Sequence, residues 1–180
     1  MSDFEIHATK LLDVFTIVPK DIFRDFRGEY IQTFNEAQFH ELLIEKSLPP
    51  IHFVQDCISV SRKNTLRGIH GALDDQNWKL TQCLHGEVYS VAVNNNKHHP
   101  QYLQWQGFLL SERNRCQLLI APGMGNSLLA LTDCTYAYKQ SEYYRGMSSQ
   151  YTLSPFDPRL KIYWPIKQDQ VILSERDARA

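Results

Sequence analysis

Residues 66–71, with the sequence Leu-Arg-Gly-Ile-His-Gly, bring three residue types that are useful for chemistry into six positions. The glycines allow a backbone to approach a ligand closely, and the guanidinium of Arg67 can bind a phosphate or a carboxylate through two parallel hydrogen bonds. His70 changes its charge near neutral pH and can therefore move protons. Because a single histidine is more often structural than catalytic, this segment alone leaves both interpretations open.

Lys79 stands nine residues after His70, at the start of an otherwise apolar segment. Such a lysine is usually the solvated end of a strand, since lysine is almost never fully buried. A role in an active site is the less common alternative.

A metal site is another chemistry to consider. Metal-binding jelly rolls usually combine two closely spaced histidines, a carboxylate and a further histidine from the next hairpin. Here Gly71 follows His70, and the downstream hairpin turn ends in Asn126 where a ligand histidine would be needed. The pair His98-His99 lies in a polar turn without an acidic neighbour. We therefore expect no metal, no cofactor, and an activity that survives treatment with a chelator.

Short strands must position these residues. Alternating, β-branched and aromatic runs separated by turn residues are typical of an all-β sandwich or barrel. The pattern of residues 36–46, with Asn35 as N-cap, predicts the best helix, so helices are expected only at the periphery. We expect one domain over residues 1–180. The predicted strands cover residues 54–61, 80–83, 88–93, 102–110, 116–120, 127–131 and 135–139.

The strand of residues 87–93 is apolar on both faces. Val88 and Ala92 alternate with Tyr89 and Val91 along it. A strand of this kind lies between two layers, as in a jelly roll whose outside is covered by a second sheet or by a partner subunit.

Charge and hydropathy exclude several classes of protein. With 19 Lys and Arg against 20 Asp and Glu, the net charge of -1 gives no electrostatic surface for nucleic acid. The apolar runs are far shorter than the ~18 residues of a membrane helix. The first ten residues lack the pattern of a signal peptide, so we expect a cytoplasmic protein without a membrane partner.

The four cysteines are widely spaced and form no Cys-x-x-Cys pair, which argues against a zinc cage and a redox motif. All four lie in apolar or alternating segments, where a free cysteine behaves as a small buried hydrophobe.

Motifs along most of the chain resemble one family. They include Phe-Arg-Asp-Phe-Arg-Gly-Glu at 23–29, Phe-Val-Gln-Asp at 53–56, and residues 64–70, 79–80, 86–88, 122–126, 138–144, 157–165 and 173–177. From about residue 13 to the C-terminus, their order and spacing are similar to those of the nucleotide-sugar 3,5-epimerases, whose type member is dTDP-4-dehydrorhamnose 3,5-epimerase. The resemblance implies a metal-free cupin-type jelly roll.

The resemblance also implies the catalytic roles: His70 as base, oriented by Asp177, Tyr138 as acid, and Lys79 as the group that holds the enolate oxygen. The chemistry requires such a set. A hydrogen next to a ketone can leave as a proton because the enolate carries its charge on oxygen, and inversion then needs a proton from the opposite face. Without the resemblance, Tyr138 would be a barrel-lining aromatic residue, which is common in strands.

A further set of residues matches the family's substrate-binding positions. Arg27 could equally be a surface arginine without the family, and Asn126 would form part of the wall around the sugar. The positions for the nucleotide and its diphosphate are Arg27, Gln55, Arg67, Tyr144 and Arg176. The resemblance leaves open whether Arg67 binds the diphosphate or helps Lys79 to hold the enolate oxygen.

Three departures bear on the substrate. Gly71 stands where the rhamnose enzymes have an aromatic residue, Asn126 where they have a histidine, and Gln32 where they have a glutamate. The first two favour the branch that acts on GDP-4-keto-6-deoxy-heptoses in the synthesis of capsules and other surface polysaccharides. We therefore expect an epimerase that inverts C3, with or without C5, of such a sugar.

Other functions remain open. One is dTDP-4-dehydrorhamnose 3,5-epimerase itself, a second is a 3,4-ketoisomerase of nucleotide sugars, and a third is a sugar-binding cupin without catalysis. The resemblance further implies a homodimer. We expect the apolar run of residues 11–18 to cross to the partner's sheet and Arg27 to reach the partner's pocket.

Overall fold

Two facing antiparallel sheets form a cupin-type jelly roll in the computed structural model, which describes residues 3–74 and 76–180. The helices in these ranges are α1 (Glu36–Glu45), α2 (Glu175–Ala178) and single 3-10 turns at Met147–Ser149 and Gln168–Gln170. The strands are β1 (Phe4–Ala8), β2 (Val14–Pro19), β3 (Ile22–Asp25), β4 (Gly28–Ile31), β5 (Gln55–Ser61), β6 (Leu66–Ala72), β7 (Lys79–His85), β8 (Glu87–Asn94), β9 (Trp105–Ser111), β10 (Gln117–Ile120), β11 (Met124–Ala130), β12 (Cys134–Gln140) and β13 (Gln150–Thr152).

The larger sheet has the strand order β1-β2-β10-β7-β12-β5, and the smaller sheet has the order β13-β6-β11-β8-β9. A separate hairpin is formed by β3 and β4. The seven strands predicted from the sequence correspond to β5 and to β7 through β12, with ends that differ by up to three residues. The prediction of an all-β fold with peripheral helices is confirmed.

The apolar residues form three layers. Val88 and Ala92 of β8 belong to the cluster between the sheets. Val91 and Tyr89, on the other face of the same strand, pack against Leu160 and Trp164. The prediction that β8 lies between two layers is therefore confirmed, but the outer layer is the chain's own irregular segment of residues 153–173.

Helix α1 covers the outer face of the larger sheet. The side chain of Asn35 accepts a hydrogen bond from the backbone N–H of Gln38 at 3.2 Å, as an N-cap does. Phe39, Leu42 and Leu43 are buried in the third apolar cluster. The predicted helix is confirmed, and it ends one residue earlier than predicted because Lys46 is its C-cap.

The apolar run of residues 11–18 differs from the prediction. Its strand, β2, is paired with β1 on one side and with β10 on the other, all within the same chain. Both edges of β2 are therefore occupied, and the prediction that this run crosses to a partner's sheet is wrong here. The N-terminal segment that projects instead is the β3–β4 hairpin, whose turn residue Phe26 is 98% exposed.

The four cysteines are free. Cys83 and Cys134 are buried as expected, whereas Cys57 and Cys116 are only partly buried. In the described ranges, no helix is long and apolar enough to cross a membrane.

Candidate active site

A cavity of about 520 Å³ opens between the two sheets. The smaller sheet contributes Arg67 and His70 from β6 and Asn126 from β11, and the larger sheet contributes Lys79 from β7 and Tyr138 from β12. Because these groups come from opposite sheets, a molecule bound between them is contacted on both of its faces.

The glycines of the β6 motif make room for protein and not for a ligand. Gly68 has φ +100°, and a Cβ there would lie 2.7 Å from the carbonyl oxygen of Asn126. The pairing of β6 with β11 is irregular at this point, and such an irregularity redirects neighbouring side chains. A Cβ at Gly71 would overlap the ring of Tyr151. The expectation that these glycines admit a ligand is therefore corrected, although they help to position the His70 side chain between them.

His70 and Asp177 form the closest polar pair of the cavity. Nε2 of His70 lies 2.6 Å from Oδ1 of Asp177. The histidine side chain is 25% exposed and the aspartate side chain 3% exposed. Since a carboxylate can only accept, Nε2 carries the hydrogen and Nδ1 keeps a lone pair with which to take a proton.

Two contacts hold Asp177 beside the histidine. Ser174 caps the short helix α2 by accepting a hydrogen bond from the N–H of Asp177 at 3.2 Å. The N–H of Leu66 donates to the carbonyl of Ile172 at 3.0 Å, which ties the preceding segment to the start of β6. The C-terminal segment is thereby fixed to the strand that carries His70.

Several hydrogen bonds keep Asp177 ionised. Burial by itself raises the pKa of this carboxyl, but hydrogen bonding and charge attraction from His70, together with bonds from Ser174 and the Gly68 N–H, outweigh it. The pKa of Asp177 is therefore lowered from its ordinary value. A carboxylate at this position stabilises a positive charge on His70.

Two groups from the larger sheet have pKa values shifted by burial. Burial raises the pKa of the Tyr138 phenol, with a further contribution from Cys57, so the phenol keeps its proton at neutral pH. Burial lowers the pKa of Lys79 to about 8. The Lys79 ammonium donates a hydrogen bond to Oδ1 of Asn126 at 2.7 Å, and Asn126 is paired with His70 in the smaller sheet.

The cavity carries uncompensated positive charge. Nε of Arg67 donates to the hydroxyl of Ser61 at 2.9 Å, and Nε of Arg176 donates to the hydroxyl of Thr152 at 2.7 Å. Neither arginine, nor Lys79, forms an ion pair with a described residue. These three cations are available to an anionic ligand.

The remaining predicted residues divide into two groups. Gln55 and Tyr144 line the cavity, and the side-chain oxygen of Gln55 accepts a hydrogen bond from the N–H of Tyr144 at 2.7 Å. Arg27 lies outside the cavity of its own chain, in the β3–β4 turn, where it is exposed and paired with Asp25. Its predicted place in a partner's pocket stays a prediction.

Sequence reasoning missed several residues of the cavity wall. Cys57 lies opposite Tyr138 in the β5–β12 pairing, and Met147 and Gln150 follow the motif that contains Tyr144. None belongs to a motif. Cys57 could have been found only from the register of two strands that are far apart in sequence.

Among the described residues, one group of His, Cys, Asp or Glu side chains has a geometry that could hold a metal ion: Glu36, His40 and His52. None of the three lines the cavity. The expected absence of a metal from the cavity stays a prediction.

Comparisons with known proteins agree on one family. The family model described as dTDP-4-dehydrorhamnose 3,5-epimerase matches residues 8–180. The dTDP-4-dehydrorhamnose 3,5-epimerase of Methanothermobacter thermautotrophicus is 36% identical over 179 residues, which is 98% of this chain and 93% of that protein. The enzyme of the same name from Salmonella typhimurium is 37% identical, over 96% of this chain and 91% of that protein.

A solved structure is similar over nearly the whole fold. The dTDP-6-deoxy-D-glucose-3,5-epimerase of Legionella pneumophila Philadelphia 1, in complex with dTDP-4-keto-L-rhamnose, has a TM-score of 0.90 and 35% sequence identity. The match covers 98% of this chain and 91% of that one.

These relatives give no support to the branch that acts on GDP-linked heptoses or to a role in capsule synthesis. They do identify the chain as a sugar-nucleotide isomerase, because both the sequence relatives and the solved structure are named as epimerases. The chain belongs to the dTDP-4-dehydrorhamnose 3,5-epimerase family.

Proposed function

We propose that this chain inverts C3 and C5 of a dTDP-linked 4-keto-6-deoxy hexose. The observation that carries the proposal is the His70–Asp177 pair on one wall of the cavity, with Tyr138 on the other wall and the Lys79 ammonium bonded to Asn126 beside His70. An acid and a base on opposite faces of one bound sugar are what inversion next to a ketone requires.

Each inversion begins with removal of a proton. Nδ1 of His70 takes the proton from the carbon next to the C4 ketone, and the electron pair of the C–H bond moves into an enolate. The ammonium of Lys79, whose side chain is buried, donates to the developing oxyanion, and burial weakens the screening of this attraction by water. Asp177 stabilises the imidazolium that forms.

Tyr138 then returns a proton to the same carbon from the opposite face. The step leaves His70 protonated and Tyr138 as a phenolate, so one proton has entered and one has left the sugar. Exchange with water resets both groups, since the His70 side chain is partly exposed and both residues line an open cavity. A second cycle at the other neighbour of the ketone inverts the second carbon.

The two arginines without an ion-pair partner among the described residues support a nucleoside diphosphate as the remainder of the substrate. Arg67 and Arg176 can each bind phosphate oxygens through two hydrogen bonds. Thymidine is proposed as the nucleoside because the relatives are named for dTDP sugars and the Legionella enzyme is in complex with one. The GDP-linked heptose expected from Gly71 and Asn126 has no such support.

Two further proposals concern the architecture. Residues 1–180 are proposed to act as one domain, because the segment that supplies Asp177 packs on the sheet that carries His70. A homodimer is proposed because Phe26 and Tyr30 of the β3–β4 hairpin, and Ile58 and Val60 of the edge strand β5, are exposed apolar side chains.

The test is turnover in deuterium oxide, followed by proton NMR. We expect dTDP-4-keto-6-deoxyglucose to be inverted at C3 and C5, with solvent deuterium at both carbons. Deuterium and inversion at C3 alone would make the enzyme a 3-epimerase. A displaced carbonyl would identify a ketoisomerase, and binding of the sugar without any change would identify a binding protein. Parallel reactions with GDP-linked 4-keto sugars test the nucleoside, and faster turnover of these would overturn its assignment.

A further inference from the structure

Glu36, His40 and His52 form a cluster on the outside of the larger sheet. Glu36 and His40 are four residues apart and share one face of α1, and His52 comes from the segment that follows the helix. Nδ1 of His52 lies 2.8 Å from Oε1 of Glu36, and the His40 and His52 rings meet edge to face at 4.9 Å between centroids. One ligand atom of each residue lies within 4.8 Å of the others.

The ring of His40 is oriented by a hydrogen bond of the kind that metal-binding histidines commonly make. Its Nε2 lies 3.0 Å from the carbonyl oxygen of Ile51, which can only accept. The hydrogen of the neutral ring is therefore on Nε2, and the lone pair is on Nδ1. Metal-binding histidines commonly donate their second nitrogen to a backbone carbonyl in this way.

The frame around the cluster is rigid, whereas the other two ligands are free to adjust. Phe39 and Ile51 are both buried in the cluster beneath α1, which anchors the helix and the segment on either side of His40. The His52 side chain is 69% exposed and that of Glu36 is 56% exposed. Both side chains are therefore free to rotate away from their mutual hydrogen bond.

We propose that Glu36, His40 and His52 bind a zinc ion at the protein surface. Two imidazole nitrogens and one carboxylate oxygen are a ligand set for Zn²⁺, whereas Ca²⁺ and Mg²⁺ are bound by oxygen atoms alone. Three protein ligands leave the fourth tetrahedral position to water.

The site lies apart from the chemistry of the cavity. An ion there links the first turn of α1 to the segment that leads into β5, the strand that begins with Gln55. Its expected effect is therefore on stability, because a ligand that binds only the folded state raises Tm. Turnover is expected to continue without it.

The experiment uses the untagged full chain after treatment with a chelator and dialysis. Titration calorimetry with zinc chloride should give one equivalent bound, and Tm should rise by ~2 °C or more at saturating zinc. Magnesium chloride should neither bind nor raise Tm. No zinc binding at micromolar concentrations, or an equal response to magnesium, would overturn the proposal.

Variants locate the site. His52→Ala should weaken zinc binding by more than ~10-fold, because even the loss of a residue that only hydrogen-bonds to a metal ligand typically costs at least that much. Its Tm without zinc should match that of the unchanged protein, because the side chain is mostly exposed. His98→Ala removes an exposed histidine that lies outside the cluster and is the matched control, so its zinc affinity should not change. Unchanged affinity in His52→Ala, or an equal loss in His98→Ala, would contradict the assignment.

Discussion

The side chains of His70 and Asp177 are joined by a bond of 2.6 Å between Nε2 and Oδ1, although 107 residues separate them in the sequence. One comes from the middle of a strand and the other from the four-residue helix α2. The hydrogen bond selects the tautomer in which Nδ1 is free. The basicity of His70 therefore depends on how the C-terminal segment is docked.

Replacement of His70 by Asn removes the proposed base and should lower kcat/KM by ~10²–10⁴-fold, the usual value of positioned proton transfer. Asp177→Asn should lower it over a similar range, since the amide no longer selects the tautomer or stabilises the imidazolium. Rates of inversion and of deuterium uptake from solvent measure both. Asp133→Asn, which alters an exposed carboxylate outside both the cavity and residues 153–173, is the control. Wild-type rates in His70→Asn would refute the mechanism.

Tyr138→Phe should separate exchange from inversion. His70 can still remove a proton and return one from the same face, so deuterium enters the substrate while little epimer forms. Mass spectrometry of the remaining substrate and NMR of the product measure the two rates. Tyr89→Phe, on the outer face of the smaller sheet, is the control. It should change neither the rate of exchange nor the rate of inversion. If Tyr138→Phe lost exchange and inversion equally, the phenol would be needed for proton removal as well, and its assignment as the acid alone would be wrong.

The value of kcat/KM should fall in alkaline solution because the Lys79 ammonium loses its proton. Burial lowers the pKa of this amine to about 8, so the ammonium that we propose binds the enolate oxygen is lost as the pH rises through that value. The plot of kcat/KM against pH, which reports the free enzyme, should therefore decline with a midpoint near 8. The pKa of Tyr138 is raised above its ordinary value of 10.0, so the phenol does not cause this decline.

Asn126→Asp identifies the titrating group. It places a carboxylate where Oδ1 now accepts from the Lys79 ammonium at 2.7 Å, and an adjacent negative charge favours the protonated amine. The midpoint should move to higher pH. Gln150→Glu adds a charge on the part of the cavity wall beside Arg176 and controls for a general change in potential. A midpoint unaltered by Asn126→Asp would assign the decline to another group.

Arg27 should act in the cavity of the partner subunit. Arg27→Ala and His70→Asn are each expected to be nearly inactive as homodimers. If Arg27 acts across the interface, subunit exchange between them creates mixed dimers in which the Arg27→Ala chain keeps its base and receives its partner's arginine. Random mixing in equal amounts then restores ~25% of the sites, because half of the dimers are mixed and each has one complete site.

Light scattering supplies the control for that experiment. Phe26→Asp should weaken the dimer through the exposed turn of the β3–β4 hairpin, whereas Arg27→Ala should leave it intact. No recovery on mixing, with exchange of subunits verified, would place Arg27 in the site of its own chain or outside any site. A fully active monomer at micromolar concentration would overturn the dimer proposal.

Local sequence patterns predicted most of the strands and the main helix. The alternation that identified β8, and the capping by Asn35 that identified α1, are local properties, and the two elements lie where they were predicted. The outer layer of residues 153–173 was not predicted because it is irregular and has no periodicity. Its apolar residues are buried only after the sheet beneath them has formed.

The site was predicted through motifs more than through geometry. Nine of the ten predicted residues line one cavity, which single-residue reasoning about His70 or Lys79 could not have established. The prediction that the glycines admit a ligand was wrong. The space beside Gly71 is occupied by the ring of Tyr151, which comes from a strand 80 residues away in the sequence. Contacts between residues this far apart in sequence depend on strand register, which cannot be derived from a single sequence.

Inactivation should precede unfolding in this molecule. Residues 153–173 cover Val91 and Leu129 of the smaller sheet, and the next few residues end in the partner of His70. If that stretch detaches, the sheet is exposed to water and His70 loses the carboxylate that orients its ring in the same event. Regions with few regular backbone bonds open at lower free energy than a sheet does. Loss of turnover is therefore the early sign of damage, while the circular dichroism of the sheets is still that of the intact protein.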